Sequence, residues 1–418
     1  MTKKKNLPEI TAQVASSLPA LGASSGQIRN QVLQSLAELL ENHDQQILAA
    51  NQDDVQEARA NKLSEALIDR LALSAHRLTQ LVAGLRETMA LPDPLGAIED
   101  FKTLPSGLMV GRMRVPLGLI VFVCEARPGA VAEACAMALK SGNAIIVKPG
   151  KEVARTAKAL APLLTRALES AGLPGQAATV LPDLSHEELK ELIGLNQYVD
   201  LVIPRGGENL IRFVDENAKV PVLRHFKGVC HLYVDEGADR KMALELAMNA
   251  KVSRPGTCNA LECLLVHQKE APKFLPQVGS ALIAQGVKIV SSPEALPYLP
   301  GATKAKADDY GREFLGLKLA VKVVASLEEA LDHIRQYGSH HTEAICTKDQ
   351  KRALTFLKSV DAGCVLVNAS TRLNDGGCLG LGAEIGISTT KLHAYGPMGL
   401  KELTTAKFVV TGDGHLRN

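Results

Sequence analysis

Apolar residues recur at helical spacing through the first ninety residues of the chain. Val32, Leu36, Leu39 and Leu40 fall on one helical face, and the same spacing returns between Leu78 and Met89. Prolines and a glycine in residues 92–96 then interrupt the pattern. The sequence therefore predicts a helical N-terminal segment that ends near residue 92.

After residue 116 the pattern changes to short apolar runs separated by longer amphipathic segments. The runs at 117–123, 144–147 and 199–203 predict buried strands. A helix is predicted over 152–171, because Gly172 and Pro174 follow it as a stop signal. Strands that alternate with helices indicate a parallel sheet covered on both faces.

A second block of the same kind begins near residue 231. Its predicted strands are 231–234, 261–266, 319–324 and 364–367, and helical patterns cover 238–250 and 327–337. With 418 residues the chain is long enough for two or three domains. We place the boundary between the two blocks near Lys227 and Gly228.

Composition narrows the classes of function. Lys and Arg total 47 against 45 Asp and Glu, and the chain has no Trp and 3% aromatic residues. This balance gives no overall positive field and few stacking surfaces, so we expect no nucleic-acid partner. The eight cysteines lack zinc-site spacing, and no apolar stretch is long enough to span a membrane. We expect a soluble cytoplasmic protein without a metal site.

A cysteine lies in a short loop between a predicted helix and a predicted strand. The segment runs from Arg254 to Ala260 and contains Cys258 and Asn259. In the functional interpretation Cys258 is a nucleophilic thiolate, stabilised by a neighbouring cation such as Arg254. In the alternative interpretation the cysteine is merely buried in a capped turn, since free cysteine is among the most buried residue types. The segment alone does not separate the two.

Two glycine-containing loops follow predicted strands and precede predicted helices. One contains Arg205, Gly206 and Gly207, whose amides could approach a phosphate at a helix N-terminus. The other spans 147–152, where Lys148 and Lys151 could reach a ribose phosphate beyond the strand end. A ligand-free turn explains the first segment equally well, and for the lysines of the second a solvated loop is the usual explanation.

Arginines occupy two further strand ends. Arg127 follows the strand at 117–123, and Arg372 follows the strand at 364–367. Guanidinium groups at such positions suit two-pronged binding of a carboxylate or a phosphate, and a structural salt bridge is the competing explanation.

Several separated motifs, taken in this order, resemble the gamma-glutamyl phosphate reductase family of the aldehyde dehydrogenase superfamily. The resemblance covers nearly the whole chain, and its matching segments are 125–128, 203–207, 228–231, 258–259, 367–372, 380–384, 392–394 and 396–400. It implies an α/β fold with a Rossmann-like nucleotide domain and an α/β catalytic domain. It also implies NADPH-dependent reduction of L-glutamate 5-phosphate to L-glutamate 5-semialdehyde and phosphate, the second step of proline biosynthesis.

The resemblance further implies a role for each candidate residue. Cys258 would displace phosphate to form a thioester, with oxyanion donors from its own amide and from Asn259 or the region of Arg127. Arg127, Arg254 and Arg372 would bind the substrate. Glu313 would hold the nicotinamide ribose. The adenosine and diphosphate would be held by Lys148, Gly150, Lys151, Arg205, Gly206 and Gly207.

One absence favours reduction over hydrolysis. Hydrolytic aldehyde dehydrogenases carry a glutamate base in a Glu-Leu-Gly-Gly-Lys motif, whereas residues 223–228 here read Leu-Arg-His-Phe-Lys-Gly. The chain also departs from the family at Gly129, at 148–150 and at Tyr395, which leaves the choice between NADP and NAD open. Two alternatives remain: a hydrolytic aldehyde dehydrogenase, and a cysteine acyltransferase or binding protein without redox chemistry.

Domain limits follow from the same resemblance. We expect a nucleotide-binding domain over 1–227 with a returning segment at 368–405, and a catalytic domain over 228–367. The last segment, 406–418, would supply a strand to a neighbouring subunit of a homo-oligomer. A functional link to glutamate 5-kinase, which would supply the substrate, is also expected.

Overall fold

The computed structural model describes residues 5–417, with the side chain of Ala66 left out. Within the described residues the chain forms two compact units. Unit 1 takes in the chain up to Arg224, Leu381–Gly386 and the chain from Met398 onward. Unit 2 is His225–Gly380 with Ile387–Pro397.

The helices and strands alternate after an all-helical start. The helices are α1 Leu7–Ala15, α2 Leu18–Ala23, α3 Gly26–Asn42, α4 Asp44–Ala60, α5 Glu65–Leu71, α6 Ala75–Ala90, α7 Pro128–Lys140, α8 Ala154–Ser170, α9 His186–Ile193, α10 Glu208–Asn217, α11 Arg240–Val252, α12 Ala271–Ala284, α13 Leu327–Tyr337 and α14 Gln350–Ser359. The strands are β1 Ile98–Thr103, β2 Met109–Pro116, β3 Leu119–Cys124, β4 Ala144–Pro149, β5 Ala178–Val180, β6 Leu201–Arg205, β7 Cys230–Val234, β8 Leu261–His267, β9 Lys288–Ser291, β10 Thr303–Lys304, β11 Lys318–Val324, β12 Thr342–Cys346, β13 Cys364–Val367, β14 Gly386–Ser388, β15 Gly396–Met398 and β16 Thr404–Thr411.

Unit 1 is built on a parallel sheet in the order β5-β4-β3-β6. Every residue of β3 is buried, as expected for a central strand covered on both faces. The N-terminal helices predicted from the apolar spacing are present, and serine side chains cap α3, α5 and α6 by accepting an amide hydrogen bond. The predicted strands at 117–123, 144–147 and 199–203 are confirmed within a few residues.

A separate three-stranded antiparallel sheet also belongs to unit 1, in the order β1-β2-β16. Strand β16 pairs with β2 along its whole length, from Thr404 opposite Pro116 to Thr411 opposite Met109. The predicted strand near the C-terminus is therefore confirmed as a strand. The sequence did not predict β1 or β2, because β1 is mostly exposed, β2 is mostly half-buried, and neither has a continuous apolar run.

Unit 2 contains a seven-stranded parallel sheet in the order β10-β9-β11-β8-β7-β12-β13. Strands β7, β8 and β12 are buried at every residue. Leucine, valine and alanine side chains of the strands pack against Phe274 and Leu275 of α12 on one face. These contacts bury enough apolar surface to make this sheet the core of the unit.

The division into units differs from the predicted domain limits at two places. The first boundary falls between Arg224 and His225, three residues before the predicted one. The returning segment is shorter than predicted, since 368–380 and 387–397 cluster with unit 2. One reason is that the Asn259 amide group donates to the carbonyl oxygens of Asn374, at 2.9 Å, and Arg372, at 3.4 Å.

None of the helices in residues 5–417 combines the length and the apolar character that crossing a membrane requires.

Candidate active site

Cys258 lies in the loop between α11 and β8, where the sequence placed it. Its side chain is half-buried, whereas Asn259 and Ala260 behind it are buried. The loop turns tightly, with the Ala260 amide donating to the Thr257 carbonyl at 3.0 Å. The rigid, fully buried β8 follows directly. A thiol in this position is held firmly and remains partly accessible.

Asn259 anchors the turn rather than facing an open space. Its Nδ2 atom donates to the Asn374 carbonyl at 2.9 Å and to the Arg372 carbonyl at 3.4 Å, and its Oδ1 atom lies 3.0 Å from Thr257 Oγ1. Both amide hydrogens are therefore directed at main-chain oxygens. This arrangement gives Asn259 a positioning role in the turn, and the oxyanion role of the Cys258 amide stays a prediction.

Arg372 reaches the same turn from the 3-10 turn after β13. Its Nη1 atom donates to Thr257 Oγ1 at 2.9 Å, and Arg254, three residues before Thr257, is exposed. The structure thus brings Arg254, Arg372 and Cys258 together in unit 2. Arg127 lies in unit 1, exposed, as the residue preceding α7.

The main chain before β7 approaches the cysteine closely at Gly228. A Cβ atom built on Gly228 would lie 1.9 Å from the Cys258 carbonyl oxygen, so only glycine fits there. The Gly228 amide donates to Glu313 Oε1 at 3.1 Å. Glu313, predicted from the family resemblance, is therefore hydrogen-bonded to Gly228, the residue that lies against the backbone of the cysteine turn.

A buried ion pair links the helix before the cysteine turn to the strand after it, and its carboxylate also holds the segment that follows Glu313. Lys251 Nζ, at the end of α11, lies 2.7 Å from Glu262 Oε2 on β8, and both side chains are almost completely buried. The other oxygen of Glu262 accepts the Leu315 amide at 3.1 Å, two residues after Glu313. Burial raises the pKa of Glu262 to about 7, and the Lys251 ammonium group opposes that rise.

Two histidines that the sequence reasoning missed face the cysteine. One nitrogen of His225, one of His341 and the Cys258 sulfur all lie within 4.8 Å of one another. His225 Nδ1 lies 2.8 Å from the Ile387 carbonyl oxygen, and the two imidazole rings meet edge to face at 5.3 Å between centroids. The sequence contained one signal for them, since His225 lies in the segment 223–228, where hydrolytic aldehyde dehydrogenases carry their glutamate base.

A second group of polar side chains lies completely inside unit 2. His231 Nδ1 on β7 is 2.9 Å from Glu343 Oε2 on β12, and Cys263 Sγ on β8 is 3.6 Å from His333 Nε2 on α13. Burial opposes a charge on His231, but Glu343 more than offsets it and raises the pKa of His231 to about 10. Burial and the neighbouring His231 lower the pKa of His333 to about 2.

The predicted cofactor residues of unit 1 lie at the carboxyl ends of β4 and β6. Lys148 is half-buried near the end of β4, and Lys151 is exposed just beyond it. Arg205 ends β6, and Gly206 and Gly207 lead into α10. Burial lowers the pKa of Lys148. These strand ends lie along one edge of a parallel sheet, as the sequence predicted.

Carboxylates of the chain itself fill both glycine loops. The Gly207 amide donates to Glu125 Oε2 at 2.7 Å, and a Cβ on Gly206 would lie 2.4 Å from the same oxygen. A Cβ on Gly150 would lie 2.1 Å from Glu152 Oε1, which also accepts the Ala126 amide. Both glycine loops therefore lie against carboxylates of the chain itself. The Gly207 amide is not available to a phosphate while Glu125 holds it.

Comparison with known proteins identifies the family. The aldehyde dehydrogenase family model matches residues 2–289. A gamma-glutamyl phosphate reductase of Thermus thermophilus is 56% identical over 389 residues, which covers 93% of this chain and 94% of the relative. This chain belongs to the gamma-glutamyl phosphate reductase branch of the aldehyde dehydrogenase family. Both the family and the aldehyde-dehydrogenase-like α/β fold predicted from the sequence are confirmed.

Solved structures extend the comparison. A crystal structure of gamma-glutamyl phosphate reductase from Thermotoga maritima has a TM-score of 0.97 and 40% identity, and covers 99% of this chain and 100% of that one. An engineered glycolyl-CoA reductase with bound NADP⁺ has a TM-score of 0.68 at 14% identity, over 97% of each chain, which is a likeness of fold. The similarity to gamma-glutamyl phosphate reductases agrees with the predicted activity, and the comparisons favour neither alternative activity. The individual residue roles and the absence of a metal stay predictions.

Proposed function

We propose that this chain reduces L-glutamate 5-phosphate to L-glutamate 5-semialdehyde and phosphate, the second step of proline biosynthesis. The observation that carries the proposal is the half-buried Cys258 in a braced turn, in a chain 56% identical to a named gamma-glutamyl phosphate reductase. A thiolate there would attack the acyl phosphate, release phosphate and form a thioester. The oxyanion that develops would accept a hydrogen bond from the Cys258 amide.

A nicotinamide cofactor fits the family, and we propose NADPH as that cofactor. When bound, it would supply the hydride that reduces the thioester. Glu313, close to the cysteine turn, would hold the nicotinamide ribose. Because Glu125 and Glu152 fill the glycine loops, contacts to the cofactor phosphates would come from the side chains of Lys148, Lys151 and Arg205 rather than from the glycine amides.

Substrate binding is assigned to arginines. Arg372, held by Thr257, and the exposed Arg254 flank the cysteine turn in unit 2. We propose that they bind the phosphate or the carboxylate of the substrate, and the sequence resemblance assigns the same role to Arg127 of unit 1. Guanidinium groups form paired hydrogen bonds with both anions, so the assignment is chemically consistent.

The reverse reaction tests the proposal. Glutamate 5-semialdehyde and NADP⁺ should give NADPH, followed by its absorbance, and the rate should depend on added phosphate or arsenate. Cys258→Ser should abolish turnover while cofactor binding survives. Equal turnover without phosphate would instead support a hydrolytic dehydrogenase, and binding without cofactor reduction would support a non-redox protein.

We also propose that the enzyme is cytoplasmic and homo-oligomeric. The sheet β1-β2-β16 exposes large apolar side chains, among them Phe101, Phe408 and Val410, which a second copy of the chain would cover. The substrate, an acyl phosphate, is short-lived in water. We therefore also propose a functional link to glutamate 5-kinase, the enzyme that makes it.

A further inference from the structure

The hydrogen bond of His225 fixes which of its nitrogens can accept a proton. The Ile387 carbonyl oxygen, 2.8 Å from His225 Nδ1, can only accept a hydrogen bond, so Nδ1 carries the hydrogen. In the neutral ring Nε2 then carries the lone pair. The carbonyl thus holds a half-buried imidazole in one tautomer, beside the Cys258 sulfur.

We propose that His225 is the proton acceptor that converts the Cys258 thiol to the reactive thiolate. The inference rests on the proposed function and names the base for its first step. The geometry has the three parts of an activated nucleophile: a thiol, an imidazole within 4.8 Å of it, and a third group, the Ile387 carbonyl, that orients the imidazole. Such hydrogen bonds are commonly long without substrate and tighten when it binds.

His341 is assigned a positioning role instead. It is fully buried, and its Nδ1 atom lies 2.7 Å from Thr342 Oγ1 and 3.8 Å from Cys230 Sγ. Its ring packs edge to face against His225 and limits the rotation of that ring. Among the titratable groups, His341 packs on the His225 ring and Cys230 Sγ lies 3.1 Å from the Cys258 carbonyl oxygen. Glu313 accepts the Gly228 amide, Arg372 donates to Thr257, and Arg254 lies in the cysteine turn.

The departing phosphate takes up the proton that the Cys258 thiol loses. The thiol proton moves to His225 Nε2, the bond from sulfur to the acyl carbon forms, and the bond from that carbon to the phosphate oxygen breaks. The imidazolium returns the proton to the departing oxygen, so phosphate leaves as the hydrogen phosphate dianion. After hydride transfer the tetrahedral alkoxide collapses to the aldehyde and expels the Cys258 thiolate, which takes a proton from solvent.

Alkylation of the full chain by iodoacetamide tests the pair without substrate or cofactor. The variant His225→Asn keeps a nitrogen donor for the Ile387 carbonyl and removes the base. Near neutral pH its alkylation rate at Cys258, measured by peptide mass spectrometry, should fall about tenfold, because a free thiol is only a few per cent ionised there. In strongly alkaline buffer the rate should return to that of the wild type, since solvent then removes the proton.

Two controls accompany the measurement. The exposed Cys378 reports in the same sample any general change in reagent or fold and should react alike in every protein. His76→Gln, at an exposed histidine in α6 of unit 1, should leave Cys258 alkylation unchanged. His225→Gln provides a second variant if His225→Asn does not fold.

The outcomes separate this inference from the proposed function. An unchanged rate at Cys258 in a folded His225 variant overturns the role of His225, even if the enzyme reduces the acyl phosphate. A rate that stays low in alkaline buffer also overturns it, because that result indicates altered access rather than a lost base. A lowered and alkali-restored rate supports the pair even if phosphate dependence is absent and the proposed reaction fails.

Discussion

Asn259 connects two loops that are more than a hundred residues apart in the sequence. Its amide group donates to the carbonyl oxygens of Arg372 and Asn374. A buried carbonyl that loses its donor keeps the cost of leaving water. The side chain next to the reactive cysteine therefore acts mainly by fixing the main chain around it.

Replacement of Asn259 should separate stability from binding. We expect Asn259→Ala to lose about 1–3 kcal/mol of unfolding free energy, because two main-chain acceptors lose their donor. The loosened turn should lower kcat more than it changes KM. Urea unfolding and steady-state kinetics measure both effects.

The exposed Asn249 on α11 provides the control. Asn249→Ala should change neither the unfolding free energy nor kcat. A variant at Asn259 with wild-type stability and a raised KM alone would contradict the positioning role and indicate direct substrate contact.

His333 should make the folded protein sensitive to acid. Its folded pKa of about 2 lies far below the ordinary value of 6.5, since burial and His231 disfavour the charge. The unfolded chain then binds one more proton below about pH 6.5, so stability is present above that pH and is lost as pH falls. The loss between about pH 7 and 5 amounts to about 2 kcal/mol.

The variant His333→Phe should remove that part of the pH dependence. Urea unfolding near pH 7 and pH 5 should show a difference about 2 kcal/mol smaller than in the wild type. His231 contributes equally to both proteins, because both retain its raised pKa of about 10; its stabilising charge contributes fully below about pH 6.5 and that contribution is lost as pH rises toward 10. His76→Gln should keep the wild-type difference, and an unchanged difference in His333→Phe would contradict a neutral buried His333.

At the scale of elements, the approach of the chain before β7 to the cysteine turn sets the active-site geometry. The Gly228 position leaves no space for a Cβ, because the Cys258 carbonyl oxygen would lie 1.9 Å away. Either the turn or the segment before β7 would have to move. Displacement by about 1 Å at a reacting group commonly costs about a hundredfold in rate.

Gly228→Ala should accordingly lower kcat by about a hundredfold. Gly256 is the matched control within the same turn, since a Cβ built there would lie 3.9 Å from the Leu315 carbonyl oxygen, an ordinary contact, and its φ angle is not positive. Gly256→Ala should retain most activity. Thermal unfolding of both variants distinguishes a shifted turn from a protein that fails to fold, and an active Gly228→Ala would contradict the close approach.

The elements found from the sequence are those whose apolar residues are continuous. Strands β3, β8 and β11 consist mostly of valine, leucine and isoleucine and were predicted. Strand β12 was missed although it is buried throughout, because it begins with Thr342 and Glu343 and only three apolar residues remain. Thr342 Oγ1 is hydrogen-bonded to His341 and Asn374, and Glu343 Oε2 to His231, so most of the partners are distant in sequence.

The same limit applies to the site. Cys258 was found because its loop lies between a helix and a strand, and the sequence contains that information locally. His225 and His341 lie 33 and 83 residues away from it, on segments that only the sheet order β8-β7-β12 brings together. The filled glycine loops were missed for a similar reason, since a glycine motif does not show which side chain occupies it.

At the scale of the whole molecule, the β1-β2-β16 sheet exposes apolar side chains to solvent. Among the described strand residues with large apolar side chains, Phe408 of this sheet is the most exposed. Phe408 is 68% exposed and Val410 is 58% exposed, two residues apart on one face of β16. Single exposed apolar residues are ordinary, but a contiguous group on a strand indicates an interface.

The double variant Phe408→Glu with Val410→Glu should disrupt that interface. We expect the wild type to sediment as an oligomer and the variant as a 44.5 kDa monomer, because charges on the shared face repel each other. Leu357→Glu, at an exposed position of α14, should leave the oligomer intact. A wild type that sediments as a monomer would contradict the proposed interface.

The pairing of β16 with β2 also bears on synthesis at the ribosome. Strand β2 is made early, yet its partner follows almost three hundred residues later. During that interval one edge of β2 carries unpaired amides and carbonyls, which can recruit strands from other nascent chains. Bacterial strains short of chaperones should therefore lose this protein to inclusion bodies, and a chain cut before residue 404 should aggregate even when chaperones are plentiful.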